Sequence, residues 1–200
     1  LSTIHTNSAL NTIERLLDMN IERYLLGTAL TGIVSQKLTK RLCPYCRASR
    51  TTTDYEKKVF KNSLNLDINE IYEAKGCDKC HDGFKGRIAI HEVLVLNQKI
   101  RDAITNNIKK EELRDLVYDS GTITMLQDGL TKVINGDTTF DELVKAIDID
   151  DTDLTSKGLT KSLEIAEKNK DVLKNDTEIK KIIEQNDSDY EVFDLDFLNK

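Results

Sequence analysis

The sequence predicts a mixed α/β chain with a small four-cysteine lobe and an acidic C-terminal extension. Three observations lead there. Helical and strand-like apolar patterns alternate along residues 1–147. The four cysteines form two Cys-x-x-Cys pairs, Cys43–Cys46 and Cys77–Cys80, with 30 residues between them. Residues 148–200 hold 15 Asp and Glu against 8 Lys, a net −7, whereas residues 1–147 come to +1.

The elements follow in order. Asn7 or Ser8 can cap a first helix running to about Met19, with Leu10, Ile13, Leu16 and Leu17 at helical spacing. Asn20 suits its end, because Asn tolerates the left-handed conformation. A second helix is expected from about Glu22 to Leu38. Tyr24, Leu25, Leu26, Ala29, Leu30, Ile33 and Val34 make it apolar on several sides, so it reads as largely buried. A short helix is expected over Thr53–Phe60, and strands over Glu70–Ala74 and Arg87–Leu96, the latter rich in Ile and Val. Helices at about Gln98–Thr105, Lys110–Ser120 and Met125–Ile134 come next, with Gly121 and Gly136 where C-caps belong. Asp137-Thr-Thr then caps a last helix, Phe140–Ile147.

Length and charge narrow the function classes. A chain of 200 residues can bury a core without disulfide staples. It carries 29 Lys and Arg against 35 Asp and Glu, a formal −6, which argues against a general nucleic-acid binder. No apolar run approaches the roughly 18–20 residues of a membrane span, and the start lacks the pattern of a signal peptide. The first residue is Leu, which raises the expectation of a piece cut from a longer protein. In the acidic extension, marginal helices are expected near Lys161–Lys174 and Thr177–Gln185 within a flexible, solvated segment. A sharper alternative is a docking peptide anchored by Tyr190, Phe193 and Phe197.

The cysteines carry the clearest chemistry. Two chelating pairs supply the four soft ligands of a tetrahedral zinc ion, and Pro44, Gly76 and Gly83 give the turns that let the sulfurs converge. Arg41, Arg47, Lys75, Lys79 and Lys85 lie close enough in sequence to offset the −2 of a zinc tetrathiolate. Four unlinked thiols, two disulfides and an iron–sulfur cluster remain as alternatives. Four protein ligands close a zinc site, so its role would be structural. His81, next to Cys80, reads as a surface residue. His91-Glu92 begins like a zinc-protease motif, but Val95 stands where the second His is required. Gly27 and Gly32 have P-loop spacing, but Ile33-Val34 replace Lys-Ser/Thr. His5 lies in a polar run before a helix start, a place that can meet an anion. An incidental His beside a capped helix is the plainer alternative.

At this density of motifs the chain resembles the secretion ATPases of type II secretion and type IV pilus assembly. Ser2-Thr-Ile-His5-Thr-Asn7 resembles that family's histidine box, and Ile13-Glu-Arg15-Leu-Leu-Asp18-Met19 the segment after it, although the family usually has Gly where Asn20 stands. Gln36 to Cys46 and Gly76 to Cys80 are similar to its tetracysteine motif, and Gly83 to Glu92 to the strand beyond. Gly121, Thr124, Asp128, Gly129, Lys132, Val133, Gly136, Thr138, Thr139 and Glu142 fit its last helices. The resemblance covers residues 1–147, and the tetracysteine motif favours the assembly or secretion branch over the retraction branch.

The resemblance implies an α/β fragment in four parts. Residues 1–41 would be the C-terminal part of a RecA-like P-loop ATPase core, and 42–86 a tetracysteine zinc-binding subdomain. Residues 87–147 would be a strand plus a helical C-terminal subdomain, and 148–200 the acidic extension. It implies a homohexamer that hydrolyses ATP with Mg2+ at the inner face of the cytoplasmic membrane, alongside an inner-membrane platform protein and cytoplasmic assembly or secretion components. His5 would contact or sense the terminal phosphate, Arg15 would support that site, and Cys43, Cys46, Cys77 and Cys80 would hold Zn2+. The family's Walker A and Walker B motifs lie upstream of its histidine box and are absent from these 200 residues, so the chain alone is expected to be inactive. A zinc-ribbon adaptor that binds protein or nucleic acid without catalysis fits the cysteine spacing equally, but not the histidine box.

Overall fold

The structure is a computed structural model that describes residues 1–147. The expectations for residues 148–200, both helices and the docking peptide, lie outside the described residues.

Helix α1 spans Ala9–Asp18 and starts where Ser8 accepts a hydrogen bond from the Asn11 N–H. Ala9, Leu10, Thr12 and Ile13 are its buried face. Asn20, at φ 60°, takes the left-handed turn after it.

The second helix is far shorter than its apolar content suggests. Helix α2 covers only Arg23–Ala29, and the chain continues as strand β1, Gly32–Leu42. The expectation of one helix from Glu22 to Leu38 is therefore wrong. The reason is visible in the alternation. Ile33, Ser35 and Thr39 point inward, while Val34 and Leu38 point outward, a period of two that belongs to a strand. Apolar residues on both faces of a strand imitate a helix that is apolar all round. Tyr24 and Leu25 are exposed as well, so this region is not the buried helix expected.

Strand β1 pairs antiparallel with β4, Phe84–Val95, from Gly32↔Val95 to Leu42↔Phe84, with a bulge between Lys40 and Leu42. The chain between them makes an excursion. Strand β2 (Ala48–Thr51) pairs antiparallel with β3 (Glu70–Glu73), and helix α3 (Asp54–Leu64) joins them. A capping box starts α3, with Thr53 and Glu56 each bonding the other's backbone N–H. Four helices follow β4: α4 (Gln98–Thr105), α5 (Lys110–Asp119), α6 (Met125–Ile134) and α7 (Phe140–Ala146).

Two apolar cores lie along the inward face of the β1–β4 ribbon. Leu10, Ile13, Leu26, Ile33, Leu94, Ile100, Ile104 and Val117 form one, drawn from α1, α2, the ribbon, α4 and α5. Val59, Phe60, Ile71, Ile90, Leu130, Phe140 and Leu143 form the other, so α3 and β3 share a core with α6 and α7. The α6–α7 turn is stitched to β1: the Leu42 N–H donates to the Asp137 carbonyl at 2.8 Å, and Thr138 Oγ1 to the Lys40 carbonyl at 2.8 Å. Gly136, at φ 72°, ends α6, and a Cβ there would strike the Tyr72 ring and Arg47.

Candidate metal centre and histidine segment

The first knuckle leaves the end of β1. Arg47 and Cys46 N–H groups turn back onto the Cys43 carbonyl at 3.1 and 3.4 Å, and the Cys80 N–H does the same to Cys77 at 3.3 Å. A two-way backbone bridge between His81 and Phe84 joins the second knuckle to β4, and the Cys43 N–H donates to the Gly83 carbonyl at 2.8 Å, which joins the two knuckles. Gly83 has φ 84°, and a Cβ there would lie 2.5 Å from Ala74 Cβ, so only glycine fits this crossing.

The result is a cluster of four sulfurs lying within 4.8 Å of one another. Cys43–Cys77, Cys46–Cys80 and Cys77–Cys80 Sγ separations are 3.9, 3.7 and 3.6 Å. Four sulfurs each about 2.3 Å from a central zinc would stand about 3.8 Å apart. No pair approaches the roughly 2.05 Å of a disulfide, and all four cysteines are free thiols. Burial pushes the Cys46 thiol up to about 12, helped by its hydrogen-bonded thiol neighbours. At Cys80 burial also opposes ionisation, but the Cys77 backbone and the adjacent thiols outweigh it and bring the thiol down to about 7. The four sulfurs form a site that could hold a metal ion, and binding would displace their thiol protons.

The basic residues around the motif divide. Lys79 and Lys85 ammonium groups lie 5.0 and 5.7 Å from the centre of the Tyr45 ring, inside the first knuckle. Lys75 pairs with Glu73, and Arg47 leaves the knuckle altogether. Its guanidinium stacks on Tyr72 at 4.7 Å and donates to the Asn135 and Gly136 carbonyls at 3.1 and 2.6 Å. Arg47 therefore ties the first knuckle to the C-terminal end of α6. His81 is exposed, as its sequence position suggests.

The histidine segment is built differently. Thr6 Oγ1 lies 2.6 Å from Thr12 Oγ1, and Lys37 Nζ donates to Asn7 Oδ1 at 3.2 Å, so residues 6–8 are held against α1 and β1. His5 and Arg15 are both exposed, and neither side chain has a hydrogen bond or ion pair among the described residues. The structure joins the four cysteines into one cluster but records no contact joining His5 to Arg15.

One buried group escapes a sequence reading. Glu92 is 3% exposed, and its two carboxylate oxygens accept from the N–H of Ala9 at 2.8 Å and of Met125 at 3.3 Å. The available signal was its register: Ile90, Glu92 and Leu94 alternate on the inward face of β4, where an acid is unusual.

A family model described as type II/IV secretion system protein matches residues 1–145. The chain belongs to that family. Among its curated relatives, a putative type II secretion system protein E of Escherichia coli strain K12 is 40% identical over 146 residues, 72% of this chain and 29% of the relative. A type II secretion system ATPase E of Vibrio cholerae is 33% identical over 72% of this chain and 29% of its own length. A type IV pilus assembly ATPase PilB of Thermus thermophilus is 33% identical over 72% of this chain and 16% of its own length. This member of the family thus spans under a third of the relatives it matches. Among the described residues, no helix is long and apolar enough to cross a membrane.

Proposed function

We propose that this chain is the C-terminal part of a hexameric ATPase that powers type II secretion or type IV pilus assembly. The observation that carries the reading is the family match over residues 1–145, together with relatives named as secretion and pilus-assembly ATPases that match over 146 residues. The exposed face of the β1–β4 ribbon supports it. Val34 and Val93 are register partners there, and with Leu38 and Val95 they leave an apolar strip 52–68% exposed. An apolar sheet face of this kind calls for a covering layer. In the proposed protein the rest of a RecA-like core supplies it.

The four thiolates of Cys43, Cys46, Cys77 and Cys80 hold a structural Zn2+. Sulfur spacings near the edge of a zinc tetrathiolate tetrahedron support this over an iron–sulfur cluster, whose several metals would set the thiolates further apart. The ion would neutralise and cross-link the knuckles, and Lys79 and Lys85 would offset its remaining negative charge. ATP and Mg2+ are bound by the longer protein. His5 reaches the terminal phosphate from the segment that precedes α1, and Arg15, within that helix, supports the site. The hexamer works at the cytoplasmic face of the inner membrane, against a platform protein and with cytoplasmic assembly or secretion components.

The test is phosphate release at matched ATP and Mg2+. This 200-residue chain should release none, because it has no Gly-x-x-x-x-Gly-Lys-Ser/Thr loop to cradle phosphates. A longer protein that contains it should turn over. Turnover by the chain alone, or a longer protein without ATPase activity, overturns the reading.

A further inference from the structure

We propose that Glu92 is a positioning residue that fixes the start of α1, and with it the histidine segment, to the start of α6. Its Oε1 accepts from Ala9 and its Oε2 from Met125, and both donors are the first residues of their helices. These N–H groups have no partner within their own helices. A carboxylate buried between two helix N-termini is favoured by both dipoles and bonds in the strong, charge-assisted class. One side chain on β4 thereby sets the spacing of two helices 116 residues apart in sequence.

The link extends in both directions. On one side, Thr6 bonds to Thr12 of α1, and His5 is the residue before Thr6. On the other, α6 is gripped along its length. The His91 N–H donates to Asp128 Oδ2 at 2.8 Å, and Arg47 beside Cys46 holds the carbonyls at the far end. Helix α6 is the strut between the cysteine knuckles and the histidine segment, and Glu92 is its joint at the histidine end.

Glu92→Gln tests the joint with little change of volume. The amide offers one acceptor and turns an NH2 toward an N–H, so one arm must open. Amide hydrogen exchange on this chain should rise at least tenfold at Ala9, at Met125 or at both, with the β1–β4 ribbon still protected and metal content unchanged. A uniform rise through both cores, or no rise at either amide, overturns the proposal. Met125→Pro cuts only the α6 arm. Proline suits a first helical position, and Thr124 is already extended at ψ 156°. Met125→Ala is its control for the lost side chain, and Ala9 should stay protected in both.

A kinetic arm rests on the proposed function. In the longer ATPase, Glu92→Gln and Met125→Pro (against Met125→Ala) should each lower kcat at least tenfold with KM for ATP within twofold. Adding Glu92→Gln to His5→Ala should cost less than twofold more. Effects that multiply, or a change confined to KM, overturn the positioning role. An inactive wild-type protein sinks the proposed function instead, while the exchange data still decide Glu92.

Discussion

In the cysteine lobe, four thiols from two knuckles converge within 4.8 Å; in the histidine segment, His5 is exposed and bonds to nothing among the described residues. Both motifs were conspicuous in the sequence. They differ in where their partners lie. A tetrathiolate site needs four like ligands and the turns that aim them, and Cys43 to Gly83 contains all of these. A phosphate sensor needs a phosphate cradle, a metal carboxylate and an oriented water, none of which a single short segment can supply. The first cluster is complete in 41 residues, while the proposed sensor would be one component of a larger site.

The largest predicted effect follows from that difference. Purified chain should hold about one zinc, and chelation or Cys77→Ser should remove it, at an apparent cost on the order of 10 kcal/mol of binding energy. The loss should not stop at the knuckles. Val59, Phe60 and Ile71 pack with α6 and α7, so amide protection should weaken through that shared core without unfolding it, while α1, α2, α4 and α5 keep theirs in full. Metal analysis with hydrogen exchange reads both. Protein that folds normally with no metal, or that holds iron, breaks the contrast between a finished site and an open one.

Next in size is His5→Ala in the longer protein, on the proposal that it is an ATPase. Removing one group that stabilises charge in a transition state costs about 10²–10³ in kcat, or about 2.7–4 kcal/mol. The same substitution in this chain should leave its melting temperature unchanged, because His5 is exposed and its side chain has no hydrogen bond or ion pair among the described residues. A stability loss from His5→Ala would mean that the segment is structural after all. At the knuckle crossing the expectation is reversed. Gly83→Ala must adopt φ 84° against Ala74 and should cost about 1–3 kcal/mol of stability by thermal melting, together with weaker metal retention.

How far the sequence could be read follows the same division. The tetracysteine cluster was legible because chelating spacing is a local property. The helix starts were legible too: Ser8, Thr53, Thr124 and Thr139 accept bonds from their own first turns. The end of α3 was missed by four residues, since nothing before Asn65, at φ 54°, stops it. Strand β1 was misread because its register is set by β4, more than 40 residues away, and its outward Val34 and Leu38 mimic a buried helix. Glu92 and Arg47 were invisible in their roles for the same reason. Each acts on the end of α6, and that meeting exists only once the ribbon and the second core have formed.

The smallest predicted effect separates the lobe's metal from its protein framework. Arg50 on β2 grips Glu56 of α3 through two hydrogen bonds, and Glu56 also accepts from the Thr53 N–H at 2.7 Å. Burial alone would raise the Glu56 pKa, but Arg50 and Thr53 together outweigh it and hold the carboxyl below its ordinary value. A depressed carboxyl contributes stability that is full above the unfolded value of about 4.3 and is lost as pH falls through the folded one. Glu56→Gln should therefore lower stability by about 1–2 kcal/mol near neutrality and flatten the acid limb below the ordinary carboxylate range. Metal release is a separate, earlier event. The thiolates regain protons at higher pH, so zinc should leave before Glu56 titrates. Urea melts of wild type and Glu56→Gln, with released zinc followed by a chromophoric chelator, should show two steps on the pH axis. Glu56→Gln should shift only the lower one. A single step, with zinc loss and unfolding inseparable in both proteins, would mean that the lobe has no framework of its own beyond the metal.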